Sequence, residues 1–475
     1  MNLKAYTGLL TAALLVIFWN PVAAQQVDPT AQAVANVPEL LSDADQAFAA
    51  KDYRAFRQAM EALHRQRPNN SEYMYRLVLA YALLDEKRPA FNLMLQMQRQ
   101  GLSYDFDQAP ESANLRGTQV YTYLNDLMVG AGQPIGAAEV VLTLDQAVEL
   151  PEAIAWDASR EQFLVGTVAH GQILAVGLDG RASELLRANE DNRVWGIYGL
   201  AVDAARNRLW ASSAAHPAFS GYSPVDQGRS MLLEFRLDDM ELIRRYPVPV
   251  DGRPHSLGKL AVAPNGDVYV ADSLLPIVYT KKADSERLRP YFASAKLVSL
   301  RGLDLSDDGK LLYLADYEMG IVVIDIAAGK PFGLQAPDTL NLGGINGLGF
   351  WQGHLVIVQN GIRPQRLMSL ELDETGKAVS NVAPLAVALD ILDFPSNGTV
   401  VDDDFYFFAN SHREITADEL RPVTIARTSL QDVAPIIDPE AQRLFEQYEQ
   451  ARERGDVRPM EPPPKEPGDS GTPPE

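Results

Sequence analysis

Between Ala137 and about Leu430 the chain repeats one hydrophobic pattern six times: an irregular segment, a short apolar strand, a turn, and a second apolar strand that ends on a polar residue. The copies pair Glu152–Asp157 with Phe163–Thr167, Tyr198–Asp203 with Leu209–Ser213, and Gly258–Ala263 with Val268–Asp272. Three more pair Arg301–Ser306 with Leu312–Asp316, Asn346–Phe350 with Leu355–Asn360, and Asn397–Asp402 with Phe405–Asn410. Repeats spaced roughly 40 to 60 residues apart, each carrying several alternating strands, predict radially stacked four-stranded blades. The expected fold is therefore an all-β six-bladed propeller over residues 137–430. A propeller must not leave a seam of unpaired edge strands between its first and last blades. Ala138–Leu144 is one strand more than the first blade needs, while the last blade is short after Pro422–Leu430. Glu139–Leu144 is thus expected as the outer strand of blade six, with the preceding region hanging from that closure point.

Ahead of the repeats, from residue 38 to 130, apolar residues recur at helical spacing and glycine is rare, so this region is expected to be all-α. Ala47–Phe56 and Ala80–Phe91 match one another at offsets of 33 to 35 residues, with Arg67-Pro68-Asn69-Asn70 at the break between them. The pattern resembles tetratricopeptide-type helical hairpins, and a third, degenerate pair is expected in Gln108–Met128, where Pro110 and Gly117 mark boundaries. Such hairpins either offer a groove to a peptide or protein partner or cap the neighbouring domain. Tyr73, Tyr75, Phe91, Met94 and Met97 are assigned to the core, because large apolar groups at helical spacing are mostly buried.

The two ends of the chain change the setting. Residues 1–24 carry Lys4, an apolar run from Leu9 to Phe18, and Val22-Ala23-Ala24 before Gln25, the layout of a cleavable secretory signal. A periplasmic or secreted location is expected, with no membrane span after cleavage. Asp438-Pro439-Glu440 predicts the start of an amphipathic helix over 438–455, and residues 456–475 form a proline-rich tail with too little apolar surface to fold. The chain contains no cysteine, which excludes disulfides and lipid attachment through cysteine. Its net charge of −21 would become −22 without Lys4, a balance that disfavours nucleic acid as a partner.

In a blade the innermost strand starts at the face where the second strand ends, so equivalent repeat positions become neighbours around one mouth. The residues just before the apolar part of each inner strand are Glu152, Tyr198, Gly258 (or Lys259 with a one-residue shift), Arg301, Asn346 and Asn397. These form the candidate ligand-binding ring. The second-strand ends give another ring, Thr167, Ser213, Asp272, Asp316, Asn360 and Asn410. Short polar groups at strand ends satisfy backbone groups in turns, so this second ring is expected to be mostly structural.

Leu150–Trp156 with Gln172–Gly180, Leu260–Ser273 and Gly302–Gly309 give the chain a resemblance, over Leu150–Ser411, to the senescence marker protein, gluconolactonase and luciferin-regenerating enzyme family of six-bladed propellers. The resemblance implies a divalent cation in the channel, held by a first-blade glutamate and by asparagine and aspartate from later inner strands, that polarises a lactone carbonyl. Glu152 matches the glutamate. Arg301 stands where an asparagine ligand would be, Asn346 where an aspartate would be, and Tyr198 where the family has a substrate-contacting asparagine. A hard cation needs several oxygen ligands, some of them charged. The expected replacement is an ion pair between Glu152 and Arg301 across the channel, with the guanidinium alternatively binding a carboxylate or phosphate ligand.

A second constellation is weighed beside it. His170, His216 and His412 follow second strands of blades one, two and six, and His255 precedes the inner strand of blade three. Glu152, His170, His216 and His412 could converge on a divalent metal, one histidine could serve as a general base, or all could be exposed loop residues. The functional expectation is an exported, non-catalytic envelope protein that binds a peptide partner, a small anionic or sugar-like ligand at the propeller mouth, or both, with no cofactor required. The alternative is a metal-dependent lactonase or ester hydrolase.

Overall fold

The computed structural model describes residues 37–412 and 420–431. The expected signal at 1–24, helix at 438–455 and tail at 456–475 lie outside the described residues. Four helices, α1 (Val37–Ala49), α2 (Tyr53–Gln66), α3 (Ser71–Leu83) and α4 (Lys87–Arg99), form two hairpins. Their turns carry Lys51 and Asp85, both at φ 57° and 34 residues apart (85 − 51), so the repeat read from the sequence extends to the backbone conformation of each turn. Asp52 and Asn70 cap α2 and α3 by accepting from the amides of Ala55 and Tyr73. In place of a third hairpin there is one helix, α5 (Gln119–Gly130), preceded by 3-10 turns at Phe106–Gln108 and Pro110–Leu115. Proline at the start of the second turn and Gly117 at φ 81° after it keep the segment from continuing as one helix. Tyr73, Met94 and Met97 are buried in the helical core, and Tyr75 and Phe91 pack against it half-buried.

The remaining strands form six antiparallel sheets. The inner strands are Pro151–Asp157, Gly196–Asp203, Leu257–Val262, Leu300–Leu305, Ile345–Trp351 and Gly398–Val401. Glu139–Thr143 pairs with Thr424–Ser429 and completes blade six, as the spare strand in the sequence required. One detail was not anticipated: Ile135–Gly136 pairs with Val379–Val387, so blade five gains a fifth strand. The chain thus stitches the outer edges of blades five and six before it begins blade one.

Period-two alternation explains the packing. In blade three, Val268 and Val270 pack towards blade two, whereas Tyr269 and Ala271 pack towards blade four. Each of the six blade interfaces has its own cluster of buried side chains, and the one between blades six and one includes Leu142 and Leu144 from the closing strand. Burial of each such leucine contributes about 2 kcal/mol, so the closing segment is held by packing as well as by its ladder.

The helical unit does not simply hang from the closure point. It packs against blades four and five on the mouth face, where inner strands begin. Asn70 donates to Glu318 (3.2 Å), the Ser103 amide donates to the Arg363 carbonyl (2.7 Å), and Ile362 inserts into the helical core. Gly343 permits the approach: a Cβ there would lie 2.3 Å from the Asn69 carbonyl oxygen. At the centre of the seam Arg366, 5% exposed, donates from Nε to Gln359 Oε1 (2.8 Å) and from Nη1 to the Gln100 carbonyl (3.0 Å), while Asn341 donates to Gln100 Oε1 (3.0 Å). Burial without a carboxylate pulls the Arg366 guanidinium down to about 10.

Candidate functional site

Five of the six inner strands slip by one residue where they enter the mouth. The shifts fall between Pro151 and Ala153, Ile197 and Gly199, Leu257 and Leu260, Leu300 and Gly302, and Ile345 and Gly347. Each bulge frees one residue from the ladder and re-aims its side chain. The freed positions are Glu152, Tyr198, Arg301 and Asn346, with Gly258 and Lys259 sharing the bulge of blade three. Asn397 immediately precedes the sixth inner strand. All six candidate residues, Glu152, Tyr198, Lys259, Arg301, Asn346 and Asn397, line one cavity of about 360 Å³, joined by His216, Ser256 and Leu150 among others.

Two blades reach across to a third through one backbone atom. Asn397 Nδ2 donates to the Glu152 carbonyl oxygen at 2.8 Å, and Lys259 Nζ approaches the same oxygen at 3.5 Å. Asn397 is 5% exposed, and among the described residues its Oδ1 has no hydrogen-bond partner. Arg301 is steadied by donation from Nε to Ser299 Oγ (2.9 Å). Desolvation holds the Lys259 ammonium down at about 8, against the opposing pull of Glu152 and Asp304. Burial pushes Asp304 up to about 6, although its carboxylate accepts from the amides of Leu305 and Phe350, each at 2.8 Å. Asp304, whose charge bears on Lys259, is a group that sequence reasoning missed. Its signal was a carboxylate between Leu303 and Leu305 on the inner strand that also carries Arg301.

The proposed convergence of Glu152, His170, His216 and His412 on a metal is corrected by the hydrogen bonding. His412 is buried, accepts the Leu150 amide at Nδ1 (3.2 Å) and donates from Nε2 to the Arg421 carbonyl (2.6 Å), so neither ring nitrogen is available. It fixes the entry to blade one, where Leu150 adopts φ 52°, a conformation rare for a branched residue. His170 pairs with Ser220 Oγ (3.2 Å) and lines a neighbouring groove instead of the mouth cavity. His216 does line the mouth, and its Nδ1 accepts the Ala218 amide (3.1 Å). Among the described residues no group of three or more histidine, aspartate or glutamate side chains could hold a metal ion. The channel donor set that the family resemblance would require does not fit a hard cation here: an ammonium approaches the Glu152 carbonyl, and a guanidinium occupies an amide ligand's place.

The ring of second-strand ends behaves differently. Asp316 accepts from the amides of Val298, Ser299, Glu318 and Met319. Asp272 accepts from the amides of Ser256, Leu274 and Leu275 and also binds His255 Nδ1 at 2.7 Å. Ser213 accepts the Trp195 amide and Asn410 the Thr424 amide. His255, whose role the sequence left blank, is buried between Asp272 and Asp251, with Nε2 3.0 Å from the latter.

No family model matches the chain, and no curated protein matches it. Solved structures that resemble it include the pyrroloquinoline quinone-bound aldose sugar dehydrogenase of Streptomyces coelicolor, at 15% identity and a TM-score of 0.44, covering 62% of this chain and 98% of that one. A luciferin-regenerating enzyme is 12% identical with a TM-score of 0.44, covering 64% and 98%. A putative gluconolactonase is 15% identical with a TM-score of 0.42, covering 62% and 91%. The chain is a six-bladed propeller preceded by helices. That statement rests on the strand pairing itself, since likenesses at these values say nothing about ligand or chemistry.

Proposed function

We propose that the propeller mouth recognises a small anion that also carries hydroxyl groups, a sugar acid being the simplest such ligand, and that the protein binds it without catalysing its conversion. The observation that carries this reading is the composition of the cavity: Lys259 and Arg301 face it together with a single carboxylate, Glu152, and with the amides Asn346 and Asn397. In a chain of net charge −21, a recessed site lined by two cations and one anion favours a carboxylate by charge and by fork-shaped hydrogen bonding. The lactonase alternative needs a bound cation or a histidine base at the mouth, and the donor set does not supply the former. Export and a peptide partner on the helical unit complete the proposal. The exposed Val120, Tyr123 and Leu127 on one side of α5 support the partner, and the layout of residues 1–24 supports export.

Calorimetric titration with D-galacturonate, D-gluconate and D-glucose tests the reading. The acids should bind, glucose should not, and Arg301→Gln should weaken the acids at least about tenfold, equivalent to about 1.4 kcal/mol. Equal binding of glucose, or acid binding indifferent to Arg301, would sink it. Appearance of the full chain in the cytoplasmic fraction of its host would remove the export element.

A further inference from the structure

Lys259 sets itself apart from Arg301, the other cation lining the mouth. Its Nζ reaches into the cavity from the bulge of blade three, and among the described residues its one hydrogen-bond contact is the long 3.5 Å approach to the Glu152 carbonyl. Among the described residues no carboxylate oxygen lies within ion-pair distance of it. An enclosed primary amine without a close anionic partner, next to a guanidinium that can take a carboxylate, has the layout needed to attack a carbonyl carbon.

We propose that the mouth captures carbonyl-bearing acids, 2-oxo acids or open-chain uronic acids, by reversible imine formation at Lys259 Nζ, with Arg301 holding the ligand carboxylate. The inference rests on the anion-binding reading of the same cavity. In the addition step the neutral amine forms an N–C bond to the carbonyl carbon, and the C–O π pair becomes a hydroxyl on the resulting carbinolamine. The C–O bond then breaks, and oxygen leaves as water. In sum, the ammonium and the carbonyl give a protonated imine and one water, so no oxidant or reductant is consumed. The proton removed from the ammonium returns with the departing water, and Glu152, a residue lining the same cavity, is the carrier assigned to it.

The depressed ammonium, at about 8, makes a larger neutral fraction available near neutral pH than an ordinary lysine has. The charges that bear on it are Glu152 and Asp304, which favour the ammonium, and Arg301, which shares the cavity. Asn397, which lines the same cavity, is held there by donation from Nδ2 to the Glu152 carbonyl.

Borohydride trapping on the full chain tests this directly. The protein is incubated with pyruvate, or with lactate as the analogue that has the carboxylate but no carbonyl, then reduced, digested and mapped by mass spectrometry. The expected result is a reduced adduct on the peptide containing Lys259 with pyruvate, none with lactate, and loss of that adduct in Lys259→Met. Mapping the wild-type protein makes the assignment independent of whether the variant folds. If calorimetry shows pyruvate bound while no adduct forms, or if adducts scatter over surface lysines with none enriched at Lys259, covalent capture is overturned and the anion-binding reading survives. If neither pyruvate, lactate nor a sugar acid binds, both fall together.

Discussion

The mouth and the interdomain seam each bury a cation without a close carboxylate, and the two are handled in opposite ways. Arg366 is sealed between blade five and the helical unit, with neutral oxygens from Gln359 and Gln100 around it. Lys259 has one long contact and faces a cavity. Burial lowers both, to about 10 and about 8 respectively. The difference teaches that burial of charge alone does not mark a functional site. What separates the two is what they face: Arg366 is bonded at Nε and Nη1 within the seam, with Nη2 buried and unpartnered among the described residues, whereas Lys259 lines space that a ligand could fill.

The largest effect should come from the seam. Arg366→Met leaves Gln359 Oε1 and the Gln100 carbonyl without donors and should lower the unfolding free energy by about 3 kcal/mol in chemical denaturation. A loss below about 1 kcal/mol would mean that the guanidinium is a burden there too, and the contrast would dissolve. Gly343→Ala comes next. Its Cβ must displace the Asn69 carbonyl, so about 2 kcal/mol should be lost, with faster proteolysis at the junction between helices and propeller. Lys259→Met should be the mildest: removing a desolvated ammonium and keeping an apolar stem should change stability by no more than about 1 kcal/mol.

The pH dependence sharpens the comparison further. Lys259 is held at about 8 in the fold against an ordinary 10.5, so between those values the unfolded chain binds the proton and the folded chain does not. Stability should therefore rise with pH across that window, relative to Lys259→Met. Asp304 works in the other direction. Raised to about 6 from 3.8, it holds a proton in the fold that the unfolded chain releases, so its contribution should fall as pH rises from about 4 to 6. Denaturation midpoints of Asp304→Asn and wild type across both windows would check the signs.

Much of the architecture was legible because propeller blades repeat. Period-two strands set both packing faces, the repeat count set the blade count, and the spare strand at Glu139–Thr143 had only one place to go. The same alignment brought Glu152, Tyr198, Lys259, Arg301, Asn346 and Asn397 to one list, and all line one cavity. Histidine chemistry was not legible. His412 follows a second strand as His216 does, and His255 precedes an inner strand on the same face, yet their nitrogens are engaged by Leu150 and Arg421, and by Asp272 and Asp251. Leu150 lies 262 residues from His412, and Asp251 and Asp272 meet His255 only once the turn between them has folded, so strand pattern carries no information about either set of partners. The seam was hidden for the same reason: Asn69, Gln100 and Arg366 meet only after two domains pack.

The most direct measurement is a paired one on Lys259→Met and Arg366→Met, recording galacturonate affinity by calorimetry and stability by denaturation for each. The account predicts a double dissociation. Lys259→Met should lose binding and keep its stability, whereas Arg366→Met should lose stability and bind normally once folded. Loss of affinity in Arg366→Met at full stability, or unchanged binding in Lys259→Met, would contradict it.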